Sequence, residues 1–246
     1  NIRAVLYENN DSRKKFLNEV GKRIYNGWIR GRKDEWVRVT VLGAGRQVGR
    51  SCFLLQTPES RIILDCGINP AAPEEYAYPH FDSPEFRINE IDAVIISHAH
   101  LDHSAMVPLL VKYGYSGPIY CTEPTRDVMS LLALDFIAIG YKDARKPPFD
   151  VADVKQMVKQ TICVNYEEVT DITPDIRMTF YNAGHIIGSA MTHLHIGNGL
   201  HNLLYTGDML YDTSNLLAKA VTKFPRLETV IIESTYGSKD DILPPR

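Results

Sequence analysis

Hydrophobic and polar positions along the chain follow a helical period first and a β pattern next. From Asp11 onward, apolar residues recur every four positions at Phe16, Val20, Ile24 and Trp28, which is typical of an amphipathic helix. Short apolar runs then predict three strands, at residues 36–42, 52–56 and 61–65. The pattern therefore predicts a helix ahead of a β-rich segment.

Strand and helix patterns then alternate before strands dominate again. Strands are predicted at 93–97 and 118–121, and helices at 103–113, 125–139 and 151–159. The last third predicts four more strands, at residues 176–181, 190–196, 202–205 and 229–233. This order favours an α/β fold in which two sheets lie between helical layers, an αββα sandwich.

Polar residues 31–35 separate the N-terminal helix from the strands and are the expected domain boundary, giving units 1–35 and 36–246. Residues 1–38 carry ten Lys and Arg against five Asp and Glu, and the remainder carries seventeen against twenty-five. A basic segment ahead of an acidic body favours polyanion contact at the start of the chain. The candidate contacts are Lys14, Lys15, Lys22 and Arg23.

The composition favours a cytoplasmic protein without a membrane span. The chain has 246 residues and 44% hydrophobic content, enough for one large domain or one domain plus part of a second. It has no apolar run of the roughly 18 residues that would cross a bilayer. Its four cysteines are scattered without a C-x-x-C pair, which favours reduced thiols.

Three histidines and one aspartate are crowded into a single segment, His98-Ala99-His100-Leu101-Asp102-His103. The segment connects a predicted strand to a predicted helix. A loop of this kind can direct His98 and His100 to one point, and Asp102 and His103 to a second point beside it. Imidazole and carboxylate groups suit zinc and its near neighbours. The segment therefore predicts a two-metal hydrolytic site.

Four ligands from one loop cannot complete two metal sites, so further ligands are expected at other strand ends. Asp65, His185 and Asp208 each come just after a predicted strand, with a glycine nearby that lets backbone approach a buried site. Taken singly, an Asp after a strand is more typical of a turn or cap. Together with residues 98–103, the three residues form a coherent ligand set.

The glycine-rich segment after the first predicted strand is a second place where chemistry could occur. Gly43-Ala44-Gly45 could pass for a dinucleotide-binding loop, but the chain continues into a strand and not into a helix. We expect a hairpin there, with Arg50 beside it as a candidate phosphate contact. A serine hydrolase lacks support because the chain has no G-x-S-x-G segment.

The four motifs of the metallo-β-lactamase superfamily are, in order, an Asp, H-x-H-x-D-H, a His and an Asp. The chain resembles this superfamily, because Asp65, residues 98–103, His185 and Asp208 match all four. Residues 231–237, a strand ending in Glu233, resemble the first added motif of the β-CASP nucleases, where a Glu accompanies RNA processing. The nearest resemblance is to the archaeal homologues of the cleavage and polyadenylation specificity factor that carry N-terminal KH domains, and it covers residues 36–237.

The resemblance implies a metal site with two zinc ions. By analogy, His98, His100 and His185 hold the first ion, Asp102 and His103 hold the second, and Asp208 bridges them. Asp65 would orient a ligand histidine or the bridging water, since such outer carboxylates fix ring orientation. Glu233, paired with a histidine that this chain does not contain, would donate a proton to the leaving oxygen.

The resemblance also implies a function. It indicates a zinc-dependent RNA endonuclease, with 5′-3′ exonuclease activity left open, that cleaves single-stranded RNA in 3′-end formation and transcription termination. Members of the family continue past Glu233 into a β-CASP domain and then return to the hydrolase domain, where two further histidines lie. The chain is therefore expected to be a fragment, with residues 1–35 as the tail of a KH-like domain plus linker. A homodimer is expected through regions outside this chain.

Two other classes of function stay open. A small-molecule thioesterase or lactonase of the same superfamily would use the same four motifs, because a fold does not fix a function. Glu233 and the basic N-terminal helix argue against it. A scaffold subunit that binds RNA without cleaving it is the other class, although such relatives lose ligands that this chain keeps.

Overall fold

The computed structural model describes residues 10–28, 35–212, 214 and 216–237. The predicted N-terminal helix is confirmed as α1 (Asn10–Trp28). Residues 1–9 and 29–34 lie outside the described residues, as does the side chain of Trp28. Of the predicted linker, residues 31–35, only Glu35 is described. The assignment of residues 1–35 to a KH-like tail stays a prediction.

Eleven strands and five further α-helices are found among the described residues after α1. The strands are β1 (Arg38–Gly43), β2 (Cys52–Gln56), β3 (Arg61–Leu64), β4 (Ala93–Ile95), β5 (Ile119–Cys121), β6 (Thr161–Cys163), β7 (Val169–Thr173), β8 (Ile176–Asn182), β9 (Ala190–Ile196), β10 (His201–Tyr205) and β11 (Thr229–Ile231). The helices are α2 (Glu74–Ala77), α3 (Leu101–Ser104), α4 (Val107–Lys112), α5 (Glu123–Lys142) and α6 (Val151–Gln160), and a 3₁₀ turn covers Ile88–Glu90.

The strands form two sheets. The first has the order β1-β2-β3-β4-β5-β6 and the second β11-β10-β9-β8-β7. Strands β1 to β3 are antiparallel, which confirms the hairpin expected at the glycine-rich segment. Strands β3 to β6 are parallel, so their carboxyl ends meet at one edge of the first sheet. Functional side chains of parallel sheets are expected at that edge.

The packing confirms the predicted α/β class with two stacked sheets. One apolar core lies between the first sheet and helices α4 to α6, and includes Ile63, Val94, Leu110 and Met157. A second core lies between the sheets, where Leu64 and Ile95 of the first sheet meet Phe180 and Leu194 of the second. These two cores separate three layers, which are helices α4 to α6, the first sheet and the second sheet. Within the described residues, a third apolar cluster packs the β10–β11 connection against the second sheet.

The helix predicted at 103–113 is wrong in its continuity, because the structure has two short helices there. The backbone N–H of Met106 donates to the Cys66 carbonyl at 2.8 Å and so leaves the helical ladder. Pro108 near the start of α4 has no N–H to continue an earlier helix. Strand β6 was missed because it is only three residues long and follows α6 directly. Strand β7 was missed as well.

Two predictions from composition can be compared with the structure. No helix among the described residues is long and apolar enough to cross a membrane. All four cysteines are free, with Cys52, Cys66 and Cys121 buried.

Candidate metal centre

Two residues, Ile96 and Ser97, separate β4 from the histidine-rich segment, which continues into α3. The backbone of His100 is extended and α3 starts at the next residue, so the connection between β4 and α3 is short. The Asp65–Gly67 segment lies directly behind it: Cys66 N–H donates to the His103 carbonyl at 2.7 Å. A Cβ on Gly67 would lie 1.7 Å from the Asp102 carbonyl oxygen, so only glycine fits here. These contacts of residues 65–67 hold in place the loop that carries the candidate ligands.

The first ligand group consists of His98, His100, His185 and one oxygen of Asp208. His98 Nε2 and His185 Nε2 lie 3.1 and 3.2 Å from His100 Nδ1. Asp208 Oδ2 lies 3.6 Å from His185 Nε2 and 3.9 Å from His98 Nε2. Three ring nitrogens and one carboxylate oxygen therefore converge on a single point.

The second ligand group consists of Asp102, His103 and the other oxygen of Asp208. His103 Nε2 lies 3.7 Å from Asp102 Oδ2 and 3.3 Å from Asp208 Oδ1. Asp208 thus directs Oδ2 to the first group and Oδ1 to the second. This is the arrangement expected of a carboxylate shared between two ions.

The structure brings Asp208 and His185 to the histidine segment from the second sheet. His185 lies in the turn between β8 and β9, whose backbone is held by the β10–β11 connection: Leu210 N–H donates to the Ala183 carbonyl at 2.8 Å. Asp208 starts that same connection. Gly207 before it has φ +52°, and a Cβ there would lie 2.6 Å from Cβ of Ser97. Asp208 therefore depends on the close approach of Gly207 to Ser97, and His185 on the contact of its turn with the β10–β11 connection.

Asp65 lies behind the second ligand group and not in it. Its side chain is fully buried, and its φ of 57° places it in the left-handed region. Its Oδ1 accepts the Ser97 N–H at 2.7 Å. Its Oδ2 accepts from the Ser97 hydroxyl at 2.7 Å, from His103 Nδ1 at 2.7 Å and from the Tyr205 hydroxyl at 2.6 Å. Ser97 and Tyr205 were missed from the sequence, since neither type of residue is a usual metal ligand.

The histidines of the cluster differ in the direction in which their surroundings shift the pKa. Burial, and then the neighbouring imidazoles, hold the pKa of His98 well below its ordinary value, and burial also lowers the pKa of His185. Burial opposes protonation of His103 too, but hydrogen bonds to Asp208 and Asp65 outweigh it and raise its pKa to about 10. The His103 contact in turn outweighs burial at Asp208 and lowers the pKa of that carboxyl.

The donor set fits a pair of zinc-like ions. Ligand nitrogens bound at the Zn–N distance in a tetrahedral site lie about 3.3 Å apart, close to the separations of the first group. Burying several imidazoles with nitrogens facing one another is unfavourable without a cation to accept their lone pairs. The residues predicted to be ligands are thus all in place for this role.

Glu233 lies at the rim of an open cleft of about 430 Å³ that reaches the second ligand group. The cleft is also lined by Asp102, His103 and Asp208. The strand pairing of β10 and β11 brings Glu233 there, and its N–H donates to the Thr206 hydroxyl at 3.2 Å. Its Oε2 accepts the N–H of Thr235 at 2.8 Å, so it also stabilises the turn after β11.

Arg50 lies in a largely buried position. The side chain is 8% exposed, and its guanidinium donates to the Tyr78 carbonyl at 2.9 Å. Arg50 therefore holds the β1–β2 loop against the segment around Tyr78, and its contact with a phosphate stays a prediction. The cleft is lined by Arg46 of the same loop, which is exposed. The sequence could not distinguish the two, because each follows a glycine of the same loop.

The four basic candidates on α1 differ in their surroundings. Lys14, Lys15 and Lys22 are exposed. Arg23 donates to the Asp92 carbonyl at 2.6 Å and pairs with the Asp92 carboxylate at 3.9 Å, so it attaches α1 to the body. None of the four lines the cleft at the ligand groups. Their contact with RNA stays a prediction.

Comparisons with known proteins agree with this geometry. Residues 36–231 match the family described as Metallo-beta-lactamase superfamily domain. Transcription termination factor FttA of Methanocaldococcus jannaschii is 54% identical over 245 residues, covering 100% of this chain and 38% of that protein. The protein of the same name in Thermococcus kodakarensis is 50% identical over 252 residues, covering 100% of this chain and 39% of that protein.

Solved structures show the same fold at low sequence identity. A protein of unknown function from Enterococcus faecalis V583 matches with a TM-score of 0.50 and 20% identity, covering 72% of this chain and 44% of that one. At this identity the likeness concerns the fold alone. The chain spans about 38% of the length of the curated relatives it matches.

Proposed function

Because this chain belongs to the metallo-beta-lactamase superfamily, we propose that it carries the hydrolytic centre of a zinc-dependent ribonuclease. The observation that supports the proposal is the shared carboxylate of Asp208, whose two oxygens face two separate ligand groups. Two-ion sites of this kind are suited to displacement at phosphorus. The substrate class is single-stranded RNA, and the proposed process is 3′-end formation and transcription termination, in line with the name of the relatives.

The ligand groups would hold two zinc ions. His98, His100 and His185 would hold one and Asp102 and His103 the other, with Asp208 shared between them. When bound, zinc ions supply an activated water near neutral pH and stabilise the charge that develops on the phosphate.

Other side chains of this chain would position the groups that react. Asp65 holds His103 through Nδ1, which directs Nε2 toward Asp208. Glu233 lines the same cleft as Asp208 and is the proposed proton donor to the leaving oxygen. The exposed Arg46 at the cleft is a proposed phosphate contact. The cleft is open, as a polymer substrate requires.

Cleavage of a labelled single-stranded RNA tests the proposal. The protein is assayed with about two equivalents of zinc, and is compared with His100→Ala and with His80→Ala. His100 belongs to the first ligand group, whereas the His80 side chain is 56% exposed and does not line the cleft. We expect cleavage that is kept in His80→Ala and lost in His100→Ala, by more than the roughly 10–100-fold that loss of a mere outer partner of a ligand costs. Cleavage that survives His100→Ala would contradict the proposal.

Two controls separate the other classes of function. Hydrolysis of a thioester or lactone without cleavage of RNA would indicate a small-molecule hydrolase. Binding of RNA without any cleavage, in the full-length protein as well as in this chain, would indicate a scaffold subunit. Endonuclease and 5′-3′ exonuclease activity are distinguished by blocking the RNA 5′ end. A homodimer of the longer protein is proposed as well, and its mass in solution tests it.

A further inference from the structure

The Ser97 hydroxyl lies between the two ligand groups. Ser97 is 1% exposed and is the second residue after β4. Its Oγ is 2.7 Å from Asp65 Oδ2 and 3.0 Å from Nδ1 of His98. It therefore contacts both the carboxylate behind the second group and a ring of the first group.

The donors and acceptors determine where the protons lie. Asp65 is surrounded by four donors, one of them the N–H of Ser97, so its carboxylate acts only as an acceptor. A serine hydroxyl has one proton, and that proton goes to Asp65 Oδ2. The Ser97 oxygen then offers only a lone pair to His98. The His98 ring must therefore donate from Nδ1, which leaves the lone pair of Nε2 facing His100.

The same carboxylate oxygen orients a ring of the second group. His103 Nδ1 lies 2.7 Å from Asp65 Oδ2, and His103 Nε2 faces Asp208 Oδ1 at 3.3 Å. Oδ2 of Asp65 thus orients the His103 ring directly and the His98 ring through the Ser97 hydroxyl. The two rings belong to different ligand groups.

We infer that Ser97 is a positioning residue, which passes the orienting effect of Asp65 on to His98 and so fixes that ring in the tautomer whose Nε2 lone pair faces the other ligands of the first group. This inference rests on the proposed role of both groups in holding metal ions. Ser97 itself contacts no ion and no substrate in this role.

Loss of the hydroxyl would change the tautomer of His98. The His98 ring is 0% exposed, so without Ser97 Oγ an Nδ1–H would have no described partner. A buried unsatisfied donor is costly, whereas a proton on Nε2 could be shared with His100 Nδ1 at 3.1 Å. In Ser97→Ala the proton is therefore expected to move to Nε2, where it occupies the lone pair that a metal needs.

Nitrogen NMR of the histidine rings in the metal-free protein tests the inference. Spectra are recorded near pH 8, above the ordinary histidine pKa of about 6.5. We expect the wild type to show His98 protonated at Nδ1 and Ser97→Ala to show a major population protonated at Nε2. Ser130→Ala is the matched control, because the Ser130 hydroxyl is equally buried and donates to the Arg126 carbonyl at 2.6 Å. It should leave the His98 signals unchanged.

Zinc affinity provides a second readout, measured by competition with a chelator. Loss of such an orienting partner costs about 10–100-fold in metal affinity, so Ser97→Ala should bind zinc that much more weakly while Ser130→Ala does not. A wild-type His98 protonated at Nε2, or a Ser97→Ala protein with unchanged tautomer and affinity, would overturn the inference. Either of these two results would overturn the role of Ser97 without deciding whether the protein cleaves RNA. Conversely, a wild type that fails to cleave RNA would leave the metal-free NMR result valid.

Discussion

At the scale of single residues, buried polar atoms decide how the candidate ligands are presented. Asp65 is fully buried and accepts hydrogen bonds from three side chains and one backbone N–H. Hydrogen bonds to a charged group are the stronger kind, worth about 1.5–3 kcal/mol each. The orientation of His103 therefore depends on residues that never touch an ion.

The Tyr205 hydroxyl gives a test of this dependence. Tyr205→Phe removes the 2.6 Å hydrogen bond to Asp65 Oδ2 and should weaken the second ligand group, lowering its zinc affinity by about tenfold. Tyr115→Phe is the control, because its buried hydroxyl donates to the Pro118 carbonyl at 2.6 Å, away from the centre. On urea unfolding Tyr205→Phe should lose more stability than Tyr115→Phe, because its lost hydrogen bond goes to a carboxylate and not to a neutral carbonyl. Equal zinc affinities in the two variants would argue against the role of Tyr205.

At the scale of elements, the register of the parallel strands places groups that are far apart in sequence side by side. The pairing of β5 with β6 puts Cys121 opposite Cys163, and Arg126 of α5 donates to the Cys163 sulfur at 3.4 Å. The hydrogen bond from Cys121 outweighs burial and, with Arg126, lowers the pKa of Cys163 to about 7. An ordinary cysteine has a pKa of about 8.5.

The pH dependence of alkylation tests the electrostatics of this strand pair. Because the thiolate is the reactive form, the rate of Cys163 modification should rise with pH and level off above about pH 8. Cys121→Ala removes the donor to the Cys163 sulfur and should move the midpoint to higher pH, whereas Cys52→Ala should not. The rates are measured by mass spectrometry with iodoacetamide. A midpoint near pH 8.5 in the wild type would contradict this expectation.

The docking of α1 is also a property of elements. Arg13 on α1 donates to the Val158 carbonyl of α6 at 3.0 Å and to the Thr161 carbonyl of β6 at 2.6 Å. Arg13→Ala removes both bonds, worth about 1–2 kcal/mol together, and should speed amide exchange in residues 10–28 by at least roughly fivefold. Lys14→Ala, an exposed neighbour, should leave the exchange rates unchanged. Equal protection of α1 in both variants would show that Arg13 does not hold it.

At the scale of the whole molecule, the candidate centre joins the two sheets. Residues 98–103 follow a strand of the first sheet, and His185 and Asp208 follow strands of the second. An ion held by all three segments would bind the folded state only, so binding would stabilise the protein by mass action.

Metal removal measures this coupling. Stripping zinc with a chelator should lower the midpoint of thermal unfolding, and zinc at about 100-fold above its Kd should restore about 2.7 kcal/mol. Asp208→Ala should lose most of the response, because Asp208 belongs to both groups. Asp82→Ala, whose side chain is 91% exposed, is the matched control. Calorimetry that shows the same zinc response in all three proteins would contradict the assignment of Asp208.

The sequence alone determined much of the fold and the identity of the candidate ligands. Helical spacing located α1, and apolar runs located nine of the eleven described strands, because side-chain burial follows the period of each element. The spacing within residues 98–103 indicated the ligands, since one short loop brings them together whatever the rest of the chain does. The break between α3 and α4 was not visible, as it depends on Cys66 accepting the Met106 N–H.

Only the tertiary structure decided how those residues work together. Tyr205 and Asp65 are 140 positions apart, yet their contact orients His103. The hydrogen bond of Ser97 to both Asp65 and His98 depends on the pairing of β3 with β4, and the burial of Arg50 depends on Tyr78. The physical reason is that a residue type gives the chemical groups, whereas hydrogen bonding and desolvation depend on partners that the fold brings together from distant parts of the chain.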